Sequence, residues 1–225
     1  GLICLKFLRD PRLAEGRPPE AAYALNARLA PTYAAWARDR VESGRAGALG
    51  THDLTGTEWP MFGSVFYLWG VQALQQDWEK DGTRGGPAPR EVAHDAIEAC
   101  GALIADPNHA EGVRKHWGAD YLTRENAFYR MMLIGGLSTY QQLSGNVQYE
   151  TIIRSQVESL TAELDARPSG LLDDYPGECY PGDVMAAVYA IQQADALLHT
   201  DHSAFIARMR RAFASFLLLV LALPA

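Results

Sequence analysis

Apolar positions recur along nearly the whole chain every three to four residues, the period of a helix with one or more buried faces. No stretch alternates apolar and polar residues strictly enough to form a strand. The pattern predicts helices at 19–42, 59–81, 90–106, 124–145, 149–168, 183–200 and 202–223. Pro31 marks a kink or a break in the first, and Pro60 suits the first turn of the second. Thr123 and Gly145 read as the N-cap and C-cap of the helix at 124–145, and Asp183 as an N-cap of the helix that follows it.

The helices are of two kinds. Those at 59–81, 124–145 and 183–200 carry Ala, Gly and aromatic residues almost all round, as expected of helices buried on several sides. Those at 90–106, 149–168 and 202–217 have one charged face and one apolar stripe. The buried helices start at Trp59, Arg124 and Asp183, about 60 residues apart, and such spacing marks repeated helical hairpins. The expected fold is therefore all-α, a single domain over 1–225. It reads as an α/α toroid of three to four hairpins cut at both ends, with a solenoid of hairpins as the structural rival.

Composition removes some functions. The 225 residues carry a net charge of -7, and the 20 Lys and Arg are scattered, which excludes a phosphate-binding nucleic-acid surface. The three cysteines, Cys4, Cys100 and Cys179, are far apart and encode neither a disulfide framework nor a CxxC metal site. No paired-histidine or HExxH spacing calls for a metal, and "GTRGGPAP" lacks the GK[ST] ending of a phosphate loop, so no cofactor is expected. The apolar tail of about 14 residues is shorter than the roughly 20 needed to span a bilayer. Membrane association, an upstream signal segment and a cytoplasmic or periplasmic location all stay open.

Candidate chemistry gathers in the loops that enter the three buried helices, "THDLTGTEWP", "HWGADYLTREN" and "DDYPGECYPGD". In a toroid these lie on one face. They bring Asp53, Glu58, Glu125, Asp174, Cys179 and Asp183 together with Trp59, Trp117, Tyr175 and Tyr180. Acids mixed with aromatics at a shared mouth suit a small-molecule substrate. Asp174 and Asp183, facing each other, would divide into acid and base because neighbouring carboxyls push their pKa values apart. The plain alternatives are that Asp183 caps a helix, that Asp174 satisfies turn amides and that Glu125 complements a helix dipole. A reactive Cys179 needs a histidine, and His116 from the neighbouring loop is the candidate.

Residues from about Trp117 to Phe213 resemble the linalool dehydratase/isomerase family, on the pattern Glu125, Asn126, Tyr129 opening a helix that ends at Gly145, and on Tyr149, Gly170 and "DALLHTD". The resemblance implies an α/α barrel, cofactor-independent acid–base conversion of terpenoid alcohols, and an active site shared with a neighbouring subunit. In register, the family's two catalytic cysteines fall on Asp174 and Asp183 and its histidine on Met132; a four-residue shift brings Cys179 onto the second cysteine. The family's full catalytic set is therefore absent.

The expectation is a lyase or isomerase acting on a small hydroxylated, largely apolar molecule. Asp174, Asp183, Glu125 and Cys179 carry the chemistry, while Tyr129, Tyr175, Tyr180, Asn126, Trp117, Trp59, Glu58, Asp53 and Met132 line the pocket. A carbohydrate-active toroid using paired carboxylates is the second reading, and a non-catalytic helical-repeat interaction module the third.

Overall fold

The computed structural model describes residues 9–49, 56–82 and 84–221, with side chains as far as Ala214. Among these the chain is all-helical, and the one β feature is an isolated antiparallel bridge between Tyr175 and Glu178. The helices are α1 (Glu20–Ser43), α2 (Glu58–Asp81), a single turn α3 (Pro89–Val92), α4 (His94–Ile104), α5 (Glu111–Trp117), α6 (Ala127–Ser144), α7 (Glu150–Ala166), α8 (Pro181–Leu198) and α9 (Ser203–Leu221). No helix among the described residues is long and apolar enough to cross a membrane.

α6 is the centre of the core, packed against α2, α4, α7 and α8, and almost every one of its residues is buried. That fits its composition, since Ala, Gly, Leu, Ile and Met occupy all its faces. Close approach is bought with glycine. A Cβ on Gly136 of α6 would lie 2.7 Å from Val65 Cγ2 of α2, and one on Gly101 of α4 would lie 2.5 Å from Tyr140 Cδ2 of α6. Of the helices with a charged face, α7 packs outside α6 and α9 outside α8, whereas α4 is sandwiched, with α1 on one side and α2 and α6 on the other, and most of its residues are buried. α2 and α8 do not bury every side, because Phe66 and Tyr189 are exposed.

Several boundaries differ from the periodicity. α1 runs through Pro31 without a break, its Ala30, Ala34 and Ala37 buried. The helix predicted at 90–106 divides at Ala93, and α5 lies where a loop was expected. α6 begins at Ala127 instead of 124, so Thr123 is not its cap; the Thr123 hydroxyl donates to the Asp120 carbonyl. α8 starts at Pro181, which makes Tyr180 the N-cap and puts Asp183 inside the first turn. Gly145 is the C-cap of α6, left-handed at φ 75°, its N–H donating to the Gln141 carbonyl.

An N-terminal strap ties α1 to the far end of α2. Arg12 and Arg17 both pair with the nearly buried Asp77, the latter at 2.7 Å from Nε, and Tyr23 donates to the same carboxylate at 2.6 Å. The two guanidinium partners and the hydroxyl hold the Asp77 carboxyl below its ordinary pKa.

Candidate functional site

The N-terminal ends of α2 and α6, α5 and the loop before α8 enclose a recess. Its apolar walls are Phe62, Val113, Trp117 and Phe128, and its polar groups come from Glu58, His116, Asn126, Tyr129, Asp174 and Tyr175. The recess totals ≈ 290 Å³, but only ≈ 10 Å³ of it admits the centre of a water-sized molecule. Phe62 and Phe128 close one side with an edge-to-face contact at 4.7 Å and 86°.

Glu58 is the most unusual group in it. As the first residue of α2 it is 4% exposed, its Oε2 accepts the Tyr175 hydroxyl at 2.7 Å, and its Oε1 is buried without a partner. Burial raises its pKa, against the Tyr175 hydrogen bond and the His116 charge. His116, exposed at the mouth, stands edge-on to the Tyr175 ring at 5.9 Å. Burial and the Glu58 bond both push the Tyr175 hydroxyl well above the ordinary tyrosine range, and burial does the same to Tyr129.

Asp174 is also buried, but both of its oxygens are engaged. Oδ1 accepts the Phe128 N–H at 2.7 Å and Oδ2 the Tyr180 N–H at 3.1 Å, so one carboxyl serves the first turn of α6 and the start of α8 together. Burial still lifts its pKa to about 6, with the Asp183 and Asp173 charges adding to the rise. Asp183 itself is half-buried on α8 and raised by burial, and it does not line the recess. Asp174 thus takes the turn-amide role weighed for it in the sequence, stitching two helix starts, while the Asp183 charge still acts on it.

Glu125 and Asn126 both adopt left-handed backbone, at φ 46° and 58°, a conformation costing about 1 kcal/mol or more for a residue with a β-carbon. A network from α7 enforces it. Arg130, fully buried on α6, pairs with Glu163 at 2.6 Å, donates to Gln156 and Ser159, and reaches back to the Glu125 carbonyl at 3.1 Å. The Glu125 N–H donates to Glu163 at 2.9 Å. The Glu125 carboxylate accepts the Asp173 N–H at 2.8 Å and pairs with Arg167. Glu125 therefore anchors the "DDYPGECYPGD" loop and faces away from the recess, while Asn126 lines it and donates to the Tyr121 carbonyl at 3.1 Å. The turn before α5 is braced by buried His109, whose Nδ1 lies 2.7 Å from Asp106.

Of the other expected site residues, Trp117, Tyr129 and Tyr175 line the recess. Trp59 and Tyr180 are exposed outside its lining, and Tyr180 donates to Glu178 at 3.0 Å. Met132 is fully buried in the core of α6, so the position matched to the family histidine faces packing atoms. Cys179 is half-buried, and burial and the surrounding acids raise its thiol pKa, the opposite of what a nucleophile needs. His116 meets Tyr175 and is not brought to Cys179 as a recess partner. Asp53 lies outside the described residues. Phe128, Arg130 and Glu163 were missed; a buried arginine is invisible to periodicity because a charged residue reads as a surface position. Among the described residues no group of three or more His, Cys, Asp or Glu side chains is placed to hold a metal ion.

No protein-family model matches the chain, and neither the curated proteins nor the solved structures give a match.

Proposed function

We propose that the recess is an acid–base site and that the protein is a lyase or isomerase, working without a cofactor on a small hydroxylated, largely apolar molecule at the mouth of an α/α toroid. The observation that carries this reading is Glu58, a buried carboxyl with one oxygen held by Tyr175 and the other unpartnered in an aromatic-walled recess. A carboxyl kept neutral by burial is a proton donor at neutral pH. Glu58 Oε1 gives its proton to the substrate hydroxyl, water leaves, and a carbon-bound proton is taken by His116 at the mouth. Tyr129 and Tyr175 fix the hydroxyl, and Asp174 and Glu125 position the loop that carries Tyr175.

The lining favours an apolar skeleton with one hydroxyl over a sugar ring, each of whose hydroxyls would need a buried partner. The resemblance of residues 117–213 to the linalool dehydratase/isomerase family supports the same substrate class, with Glu58 and His116 standing in for that family's absent cysteine and histidine set. The narrowness of the recess requires half-buried Trp117 to swing aside to admit a substrate, while Tyr175 stays on Glu58.

The test is Glu58→Gln, assayed with a panel of small tertiary and allylic alcohols by headspace detection of the alkene. Loss of a general acid lowers kcat about 100-fold or more. Turnover retained by Glu58→Gln would remove the proposal. Infrared spectroscopy supplies a check independent of substrate choice: a protonated-carboxyl band persists to higher pH in wild type than an ordinary glutamate allows, and that contribution is absent from the variant.

A further inference from the structure

A second concavity, sharing no lining residue with the recess, runs along the middle of α2, α6 and α8. Helical register builds it. Met131, Gly135, Ser138 and Gln142 form one stripe of α6 and make the floor, α2 supplies Trp69 and Gln72, and α8 supplies Ala186, Tyr189 and Gln193. Its volume is ≈ 410 Å³, within the range of small-molecule sites.

Three features describe its occupant. Not one lining residue is charged, in a chain whose net charge is -7, so a charged ligand would find no counter-ion there. Aromatic rings flank it from both sides, Trp69 from α2 and Tyr189 from α8; Trp69 lies so close over α6 that a Cβ on Gly135 would be 3.2 Å from Cζ2. Ser138 is 1% exposed and its hydroxyl has no partner. The helical hydroxyls of Ser64, Thr139 and Ser144 each donate to the carbonyl four residues earlier, whereas those of Ser138 and of Thr161, on α7 away from the groove, do not. An unsatisfied buried hydroxyl costs about 1–3 kcal/mol and calls for an acceptor.

We infer that this groove binds an uncharged small molecule with a flat apolar ring and one hydrogen-bond acceptor, the ring lying between Trp69 and Tyr189 and the acceptor meeting the Ser138 hydroxyl. The Gln72 side chain, which donates to Gln142 across the rim, and Gln193 supply neutral polar edges. The site is separate from the recess and stands whether or not the acid–base reading holds.

Prodan, an uncharged planar naphthalene with a single carbonyl and polarity-sensitive emission, is the probe. Titrated into the full chain, it shows saturable one-to-one binding with blue-shifted emission. Ala186→Trp, which fills the groove, weakens binding at least tenfold, and Tyr189→Ala, at an exposed position that does not threaten folding, weakens it about fivefold. Ser138→Ala weakens it about fivefold, the worth of one hydrogen bond. Glu58→Gln leaves it unchanged. Non-saturable uptake, insensitivity to Tyr189→Ala, equal affinity for a naphthalene sulfonate, or loss of binding in Glu58→Gln overturns the inference. So does a dimer that Tyr189→Ala dissociates and that takes up no probe, because the occupant is then a second copy of the chain.

Discussion

Replacing Asp174 by Asn tests whether the carboxyl that stitches α6 to α8 also stores a pH dependence. Burial raises its pKa from 3.8 to about 6 despite two backbone N–H donors. A carboxyl that holds its proton more tightly when folded makes the folded state bind more protons than the unfolded one between those values. Stability is therefore greatest below the unfolded pKa, falls as pH rises to about 6, and is constant beyond. At about 1.4 kcal/mol per pH unit, this interval is worth roughly 3 kcal/mol. Asn is neutral throughout, and its amide oxygen still accepts one of the Phe128 and Tyr180 N–H groups. Its amide nitrogen cannot accept the other, which costs about 1–2 kcal/mol at every pH. Wild type is thus the more stable protein near pH 4, and Asp174→Asn gains on it by roughly 3 kcal/mol towards pH 7. Urea unfolding of both proteins across that range measures the difference. Glu58, which titrates in the same direction, and Asp77 and Glu20, which titrate in the opposite one, are present in both and cancel. A difference that stays flat within about 0.5 kcal/mol refutes the assigned environment of Asp174.

Other substitutions probe neighbouring features. Arg130→Met leaves Glu163 without its buried partner and lowers stability by about 3–5 kcal/mol in chemical denaturation; a loss below about 1 kcal/mol means the network is not what holds the start of α6. Gly101→Ala forces a methyl group against Tyr140 and costs about 1–3 kcal/mol, read as a lower thermal midpoint, with no loss indicating that α4 and α6 are further apart. Native Cys179 reacts with iodoacetamide at pH 7 more slowly than free cysteine, because its thiol is raised, and a faster rate contradicts the acidic surroundings described here.

The helices were legible because packing a helix against a core imposes the 3.6-residue repeat directly on the sequence, and the near-total burial of α6 followed from its Ala, Gly and Met content. The start of α6 was not. Glu125 has good helix propensity, and only Arg130 and Glu163, placed by α7, turn it and Asn126 left-handed. α5 was missed because "EGVRKHW" is a single short element rich in charge, carried by neighbours instead of its own pattern. For the recess, the sequence grouped loops that supply much of its lining, Glu58, Trp117, Asn126, Asp174 and Tyr175 among them. It ranked Asp174 and Asp183 above Glu58 because nothing local distinguishes an acid whose oxygens are taken by backbone amides from one left with a free oxygen. That difference exists only after three loops meet.

The hydrogen bond from Tyr175 to Glu58 joins residues 117 positions apart. During synthesis α2 leaves the ribosome with its first carboxyl unaccompanied, and remains so while α4, α5, α6 and α7 are made. The recess is therefore among the last features to be completed, and its assembly reports on the docking of the Tyr175 loop against an older helical scaffold. A nick within that loop is expected to open the recess and leave the contacts among α1, α2, α4 and α6 in place, so the integrity of the recess is set by one short segment and the endurance of the fold by another part of the chain.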